Sequence, residues 1–149
     1  MSESESQLTV DVEAYRKSPT RTTVEARDFE RTVDEPEEMG GANEGPNPLE
    51  YLLMAQAGCL NVTGQQIASE MDIDITDLEI TIEGDFNQAA FAGKDDDRTG
   101  LQDISVSMEV DADADEDTVE TWAKRVEERC PVSDNIKNET AVELSIDHA

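Results

Sequence analysis

Leu8, Val10, Val12 and Ala14 alternate with polar neighbours, which is the period of a half-buried strand. Residues 17–20 read as a turn around Pro19. Two short strands are predicted next, over residues 22–26 and 29–33, joined by a tight turn at Arg27 and Asp28. Pro36 ends the second, because proline cannot donate to a ladder. Residues 40–46 are a loop by composition. Asn47, Pro48 and Glu50 then suit the N-cap, N1 and N3 positions of a helix. Between residues 51 and 60 only Gln56 is polar, so this helix, extended to about Met71, is expected to be buried on more than one side. Leu78, Ile80 and Ile82 alternate as a strand, as do Ile104, Val106, Met108 and Val110, with a solvated loop over residues 93–100 between them. Val119, Trp122, Ala123 and Val126 have the spacing of an amphipathic helix, with Asp115, Glu116 and Asp117 at its positive end. Cys130 and Pro131 break it and open a short second helix, and Val142, Leu144 and Ile146 predict a last strand. The order βββ-α-ββ-αα-β makes an α+β protein, a mostly antiparallel sheet around a long central helix. Residues 1–7 are expected to be disordered and residues 8–149 to form one domain.

The apolar fraction of the 149 residues is 36%, thin but sufficient for a compact domain. Against it stand 37 acidic and 11 basic residues, a formal net charge of -26. That charge argues against nucleic acid and anionic membrane partners, which need a basic face. The acids are interspersed with regular apolar periodicities, so an acidic coat on a folded domain fits better than disorder. Such a coat, poor in lysine, fits a halophilic protein working in concentrated salt, where self-repulsion is screened. The polar, acidic N-terminus does not resemble a signal peptide, and the longest nearly apolar run is about half of the ~20 residues that span a bilayer. The expected location is cytoplasmic.

The single histidine, His148, leaves a Ser-His-Asp triad, a Cys-His dyad or a multi-His metal site without its main component. Asp111, Asp113, Asp115 and Asp117 alternate like the start of a calcium loop, but Glu116 and Trp122 stand where its glycine and its last ligand belong. Two cysteines remain. Cys59, in mid-helix, reads either as a small buried hydrophobe or as a reactive thiol whose activation needs an Arg or Lys neighbour. Cys130 reads as a helix break or as an N-cap thiol, favoured as thiolate by the helix start and by Arg129 and Arg125. Glu50 reads as the capping partner of Asn47, as a carboxylate holding an Arg, or as both.

Residues 45–60, GPNPLEYLLMAQAGCL, resemble the first cysteine motif of the OsmC/Ohr family, the osmotically inducible and organic hydroperoxide resistance proteins. Arg129-Cys130-Pro131-Val132-Ser133 resembles the second motif, and Asp34-Glu35-Pro36 with Gly40-Gly41 resembles the approach to the central helix. The resemblance implies an intertwined homodimer with active sites at its interface. It implies a thiol peroxidase without metal or organic cofactor. Cys59 would attack an organic hydroperoxide, Cys130 would resolve the sulfenic acid to a disulfide, and a lipoyl-type or thioredoxin-type dithiol would restore the pair. Glu50 lies nine residues before Cys59, a spacing nearer the general OsmC-like branch than the hydroperoxide resistance branch. The family's arginine in the turn after the first strand corresponds best to Arg16, with Arg21 next. The competing reading is a non-enzymatic dimeric module that binds an apolar ligand and keeps its thiols inert.

Overall fold

The computed structural model describes residues 6–148. The expected disorder of residues 1–7 falls mainly on residues 1–5, outside the described residues. The chain forms two compact units, one ending at Leu52 and the other beginning at Leu53.

The first unit holds an antiparallel meander of β1 (Glu13–Arg16), β2 (Thr22–Ala26) and β3 (Phe29–Val33). Ala14 pairs with Val24, and Ala26 pairs with Phe29 across the two-residue turn. Arg27 takes φ 54 there, the left-handed conformation that a tight hairpin demands. Ser18 Oγ closes the first turn by accepting from the amides of Thr20 and Arg21. Beyond β3 the chain is organised by one carboxylate. Asp34 is fully buried and accepts from Thr20 Oγ1 at 2.8 Å, Glu35 N at 2.8 Å and Glu44 N at 3.1 Å. Burial alone would raise its pKa, but these hydrogen bonds outweigh it and hold the carboxyl below its ordinary value. A Cβ at Gly41 would overlap the Glu35 carbonyl, so only glycine lets the loop fold back there.

Helix α1 (Pro48–Met71) starts as expected. Asn47 Oδ1 accepts from Glu50 N at 2.8 Å, and Glu50 Oε1 accepts from Asn47 N at 2.8 Å, a reciprocal capping box. The second unit continues with β4 (Ile75–Gly84), the short α2 (Gln88–Phe91), β5 (Ile104–Ala112), α3 (Glu116–Arg129) and α4 (Pro131–Lys137). Strands β4 and β5 form an antiparallel ribbon with a bulge near Ile75 and Asp77. The acidic alternation is a helix start and not a calcium loop, since Asp115 Oδ1 accepts from Thr118 N at 2.8 Å. Its core is Leu60, Ile67 and Ala68 of α1 against Trp122 and Val126 of α3 and against Cys130, with the apolar face of β4 and β5 beside them. Gly64 faces α3 directly: Trp122 Nε1 donates to its carbonyl at 2.8 Å.

Three expectations need correction. Residues 139–148 form no strand, and Val142, Leu144 and Ile146 stay 86%, 84% and 80% exposed. Alternation provides an apolar face, but a strand also needs a neighbouring backbone, and this segment has no ladder among the described residues. For the same reason strand structure begins at Glu13 and not at Leu8. Finally, α1 is not buried on several sides within the chain. Its buried residues are Gln56, Leu60, Thr63, Gly64, Ile67 and Ala68, while Met54 and Val62 remain exposed. No helix among the described residues is long and apolar enough to cross a membrane.

Candidate functional site: a thiol pair in the second unit

Cys59 lies in the middle of α1, half-buried, and Cys130 lies at the junction of α3 and α4, fully buried. Both are free thiols. Packing of α1 on α3 brings them close enough for each thiol to shift the acidity of the other. Thr63 Oγ1, one turn below Cys59, lies 3.9 Å from its sulfur.

The junction that carries Cys130 follows from its neighbours. Pro131 takes the first helical position of α4, where its missing N–H costs nothing. It also biases Cys130 towards extended backbone, observed at φ -72 and ψ 113. Cys130 N donates to Val126 O and Cys130 O accepts from Asp134 N, both at 3.0 Å, so one residue ends α3 and begins α4. Cys130 is thus the backbone N-cap, although its side chain makes no capping hydrogen bond.

The two thiols differ in acidity. Burial raises the Cys59 thiol, and the neighbouring Cys130 raises it further. Burial also acts to raise Cys130. There it is outweighed by the polar groups nearby, the Ser133 hydroxyl first, then the Cys59 thiol and the backbone amides of Ser133 and Val132, so this thiol lies below its ordinary value. Arg129 is not what lowers it, contrary to expectation. Its guanidinium forks onto Glu70, with Nη2 donating to Oε1 at 2.7 Å and Nη1 donating to Oε2 at 2.8 Å. That pair holds Glu70 at about 2. The adjacent position in sequence placed Arg129 on the side of the helix that faces Glu70.

Two residues not assigned a role from sequence belong to the site. Gln56, the lone polar residue of the apolar run, is 5% exposed and donates from Nε2 to Ser133 Oγ at 3.3 Å. Both also line a cavity of about 510 Å3 walled by Leu60, Met108, Lys124 and Ile136. The polar interruption at Gln56 was the available signal. Arg16 ends β1 and is exposed, and Glu50 forms the capping box; both lie in the first unit. Among the described residues no group of three or more His, Cys, Asp or Glu is placed to hold a metal ion.

A family model described as OsmC-like protein matches residues 41–145. Among solved structures, an OsmC-like protein from Mycoplasma pneumoniae is similar at a TM-score of 0.77 and 22% identity, covering 89% of each chain. An organic hydroperoxide resistance protein OsmC from Legionella pneumophila has a TM-score of 0.60 and 20% identity over 87% of this chain and 90% of its own. The organic hydroperoxide resistance protein OhrB of Bacillus subtilis has a TM-score of 0.59 and 19% identity over 89% and 93%. At these identities the solved structures show the fold. A comparison with curated proteins finds no match.

Proposed function

The chain belongs to the OsmC-like protein family, and from that premise we propose that it is a cysteine-based thiol peroxidase that reduces organic hydroperoxides in peroxide-stress defence. The observation that carries this reading is the meeting of two free thiols of unlike acidity in one packed unit. Cys59 is the more accessible sulfur and takes the attacking role; Cys130, fully buried, takes the resolving role. The Cys59 thiolate attacks the O–O bond, the alcohol leaves after taking a proton, and Cys59 becomes a sulfenic acid. The Cys130 thiolate then attacks that sulfur. A disulfide forms, and hydroxide leaves as water on protonation. A lipoyl-type or thioredoxin-type dithiol returns the pair to the reduced state, which suits a reducing cytoplasm.

Burial holds Cys59 protonated, so its attack needs a nearby cation. Arg16, steered by Glu50, is our candidate on the strength of the family resemblance. A homodimer is part of the same reading. The exposed Met54 and Val62 of α1 and the unpaired alternating segments at both ends of the chain support it.

The cavity beside Gln56 favours a second reading, a dimeric module that binds an apolar ligand with unreactive thiols. One experiment separates the two. Reduced protein is mixed with an organic hydroperoxide, and peroxide loss is followed with each dithiol supplied in turn. Cys59→Ser should abolish consumption. Cys130→Ser should consume about one equivalent per chain and stop as a sulfenic acid. No consumption by the unaltered protein overturns the peroxidase, and consumption that survives in Cys59→Ser takes the attacking role away from Cys59.

A further inference from the structure

We propose that the cavity beside Gln56 is a binding site for an amphiphilic anion, an aliphatic chain ending in a carboxylate, and that it is separate from the thiol pair. Neither cysteine lines it. The proposal rests on no step of the peroxidase, and it departs from the apolar-ligand reading in giving the ligand a charged head. The volume of about 510 Å3 lies within the ~300–1,000 Å3 of small-ligand sites. Leu60, Leu101, Ile104, Met108 and Ile136 wall it, each buried or half-buried. Gln56 and Ser133, the buried polar members of the lining, are hydrogen-bonded to each other at 3.3 Å. The interior therefore suits an alkyl chain.

The exposed members of the lining argue for the head group. Over the whole chain 37 acids stand against 11 bases. Around this cavity the balance reverses, with Arg98, Lys124 and Lys137 against one acid, Glu127. The cations come from three places, the loop before β5, α3 and the end of α4, so folding and not local sequence gathers them. Glu127 is already paired, since Lys137 Nζ donates to its Oε1 at 2.9 Å. Arg98 and Lys124 have no ion pair among the described residues. Two exposed, unpaired cations beside an apolar cavity are complementary to a carboxylate whose chain enters it. The rest of a surface carrying -26 repels such an anion.

Calorimetric titration of the full chain with decanoate tests the site, at the lowest salt that keeps the chain folded so that the ion pairs are least screened. About one decanoate should bind per chain. Octanoate should bind about tenfold more weakly, because it buries two methylenes fewer. Decan-1-ol, with the same chain and no charge, should also bind about tenfold more weakly than decanoate. Arg98→Gln and Lys124→Gln should each weaken decanoate about threefold and together about tenfold, leaving decan-1-ol unmoved. Cys59→Ser should bind decanoate as its parent does, and the double variant should consume peroxide as its parent does. Decan-1-ol that binds as tightly as decanoate, or a double variant folded by circular dichroism that binds decanoate like its parent, overturns the anion site. Failure of millimolar decanoate to bind overturns it too, and cross-linking of Lys124 to a second copy would then identify that copy as the occupant. Peroxide consumption lost in the double variant overturns the separation from the thiol pair. Decanoate binding by a protein that consumes no peroxide supports the site and overturns the peroxidase alone.

Discussion

Gly64→Ala tests the packing that brings the two cysteines together. An added Cβ would lie 2.9 Å from Trp122 Cζ2, and no other heavy atom approaches it closer than 3.8 Å. The ring has little room to yield. Trp122 is buried, and its Nε1 is tied to the Gly64 carbonyl at 2.8 Å, on the same turn as the new methyl. Helices α1 and α3 must separate by several tenths of an ångström, and the Trp122 hydrogen bond must lengthen with them. Overpacking of this kind costs about 1–3 kcal/mol. The better helix propensity of alanine returns about 1 kcal/mol. The weakened indole hydrogen bond adds about 1 kcal/mol to the loss. The net expectation is a destabilisation of about 1–3 kcal/mol, read as a lower urea midpoint at unchanged slope. Because Cys59 rides on α1 and Cys130 ends α3, closure of the disulfide should slow in the same variant. A variant as stable as the parent or more so would refute this account of the helix contact.

Asp34→Asn should destabilise the first unit at neutral pH and flatten its acid transition, followed by hydrogen exchange on β2 and β3. The sign follows from a lowered carboxylate: its contribution is complete above the unfolded pKa and is lost as pH falls through the lower folded value. An unchanged acid limb would contradict the role given to Asp34. With -26 on 149 residues, stability should fall from molar to low salt, and equal urea midpoints at both ends would sink the idea. The proposed dimer should weaken when Leu144→Asp removes apolar character from the exposed C-terminal segment. Ultracentrifugation that finds the unaltered protein monomeric at micromolar concentration, or the variant equally dimeric, would contradict that interface.

The parts of the fold that the sequence announces are those decided by local chemistry. Asn47, Pro48 and Glu50 mark the start of α1 because capping is a matter of a few neighbouring residues. Pro131 marks the break between α3 and α4 in the same way. The first and last alternating segments mislead because pairing depends on a backbone elsewhere. Helix α2 escapes notice because four residues carry no period, and Asn87, which caps it with bonds to Ala89 N and Ala90 N, reads equally well as a turn residue. At the site, the two cysteines are legible as a motif, but the source of Cys130 acidity is not. Arg129 stands next to it in sequence and faces Glu70, whereas Gln56 reaches Ser133 across 77 residues. Only packing reveals such a contact.

The most direct test of the central claim, that Cys59 and Cys130 are one redox couple, is peptide mapping by mass spectrometry after a single equivalent of organic hydroperoxide. The account predicts one product, an intrachain disulfide joining the peptide of Cys59 to that of Cys130, reversed by a dithiol. Two free thiols after the peroxide has been offered, or oxidation of one cysteine with the other untouched in the unaltered protein, would contradict it.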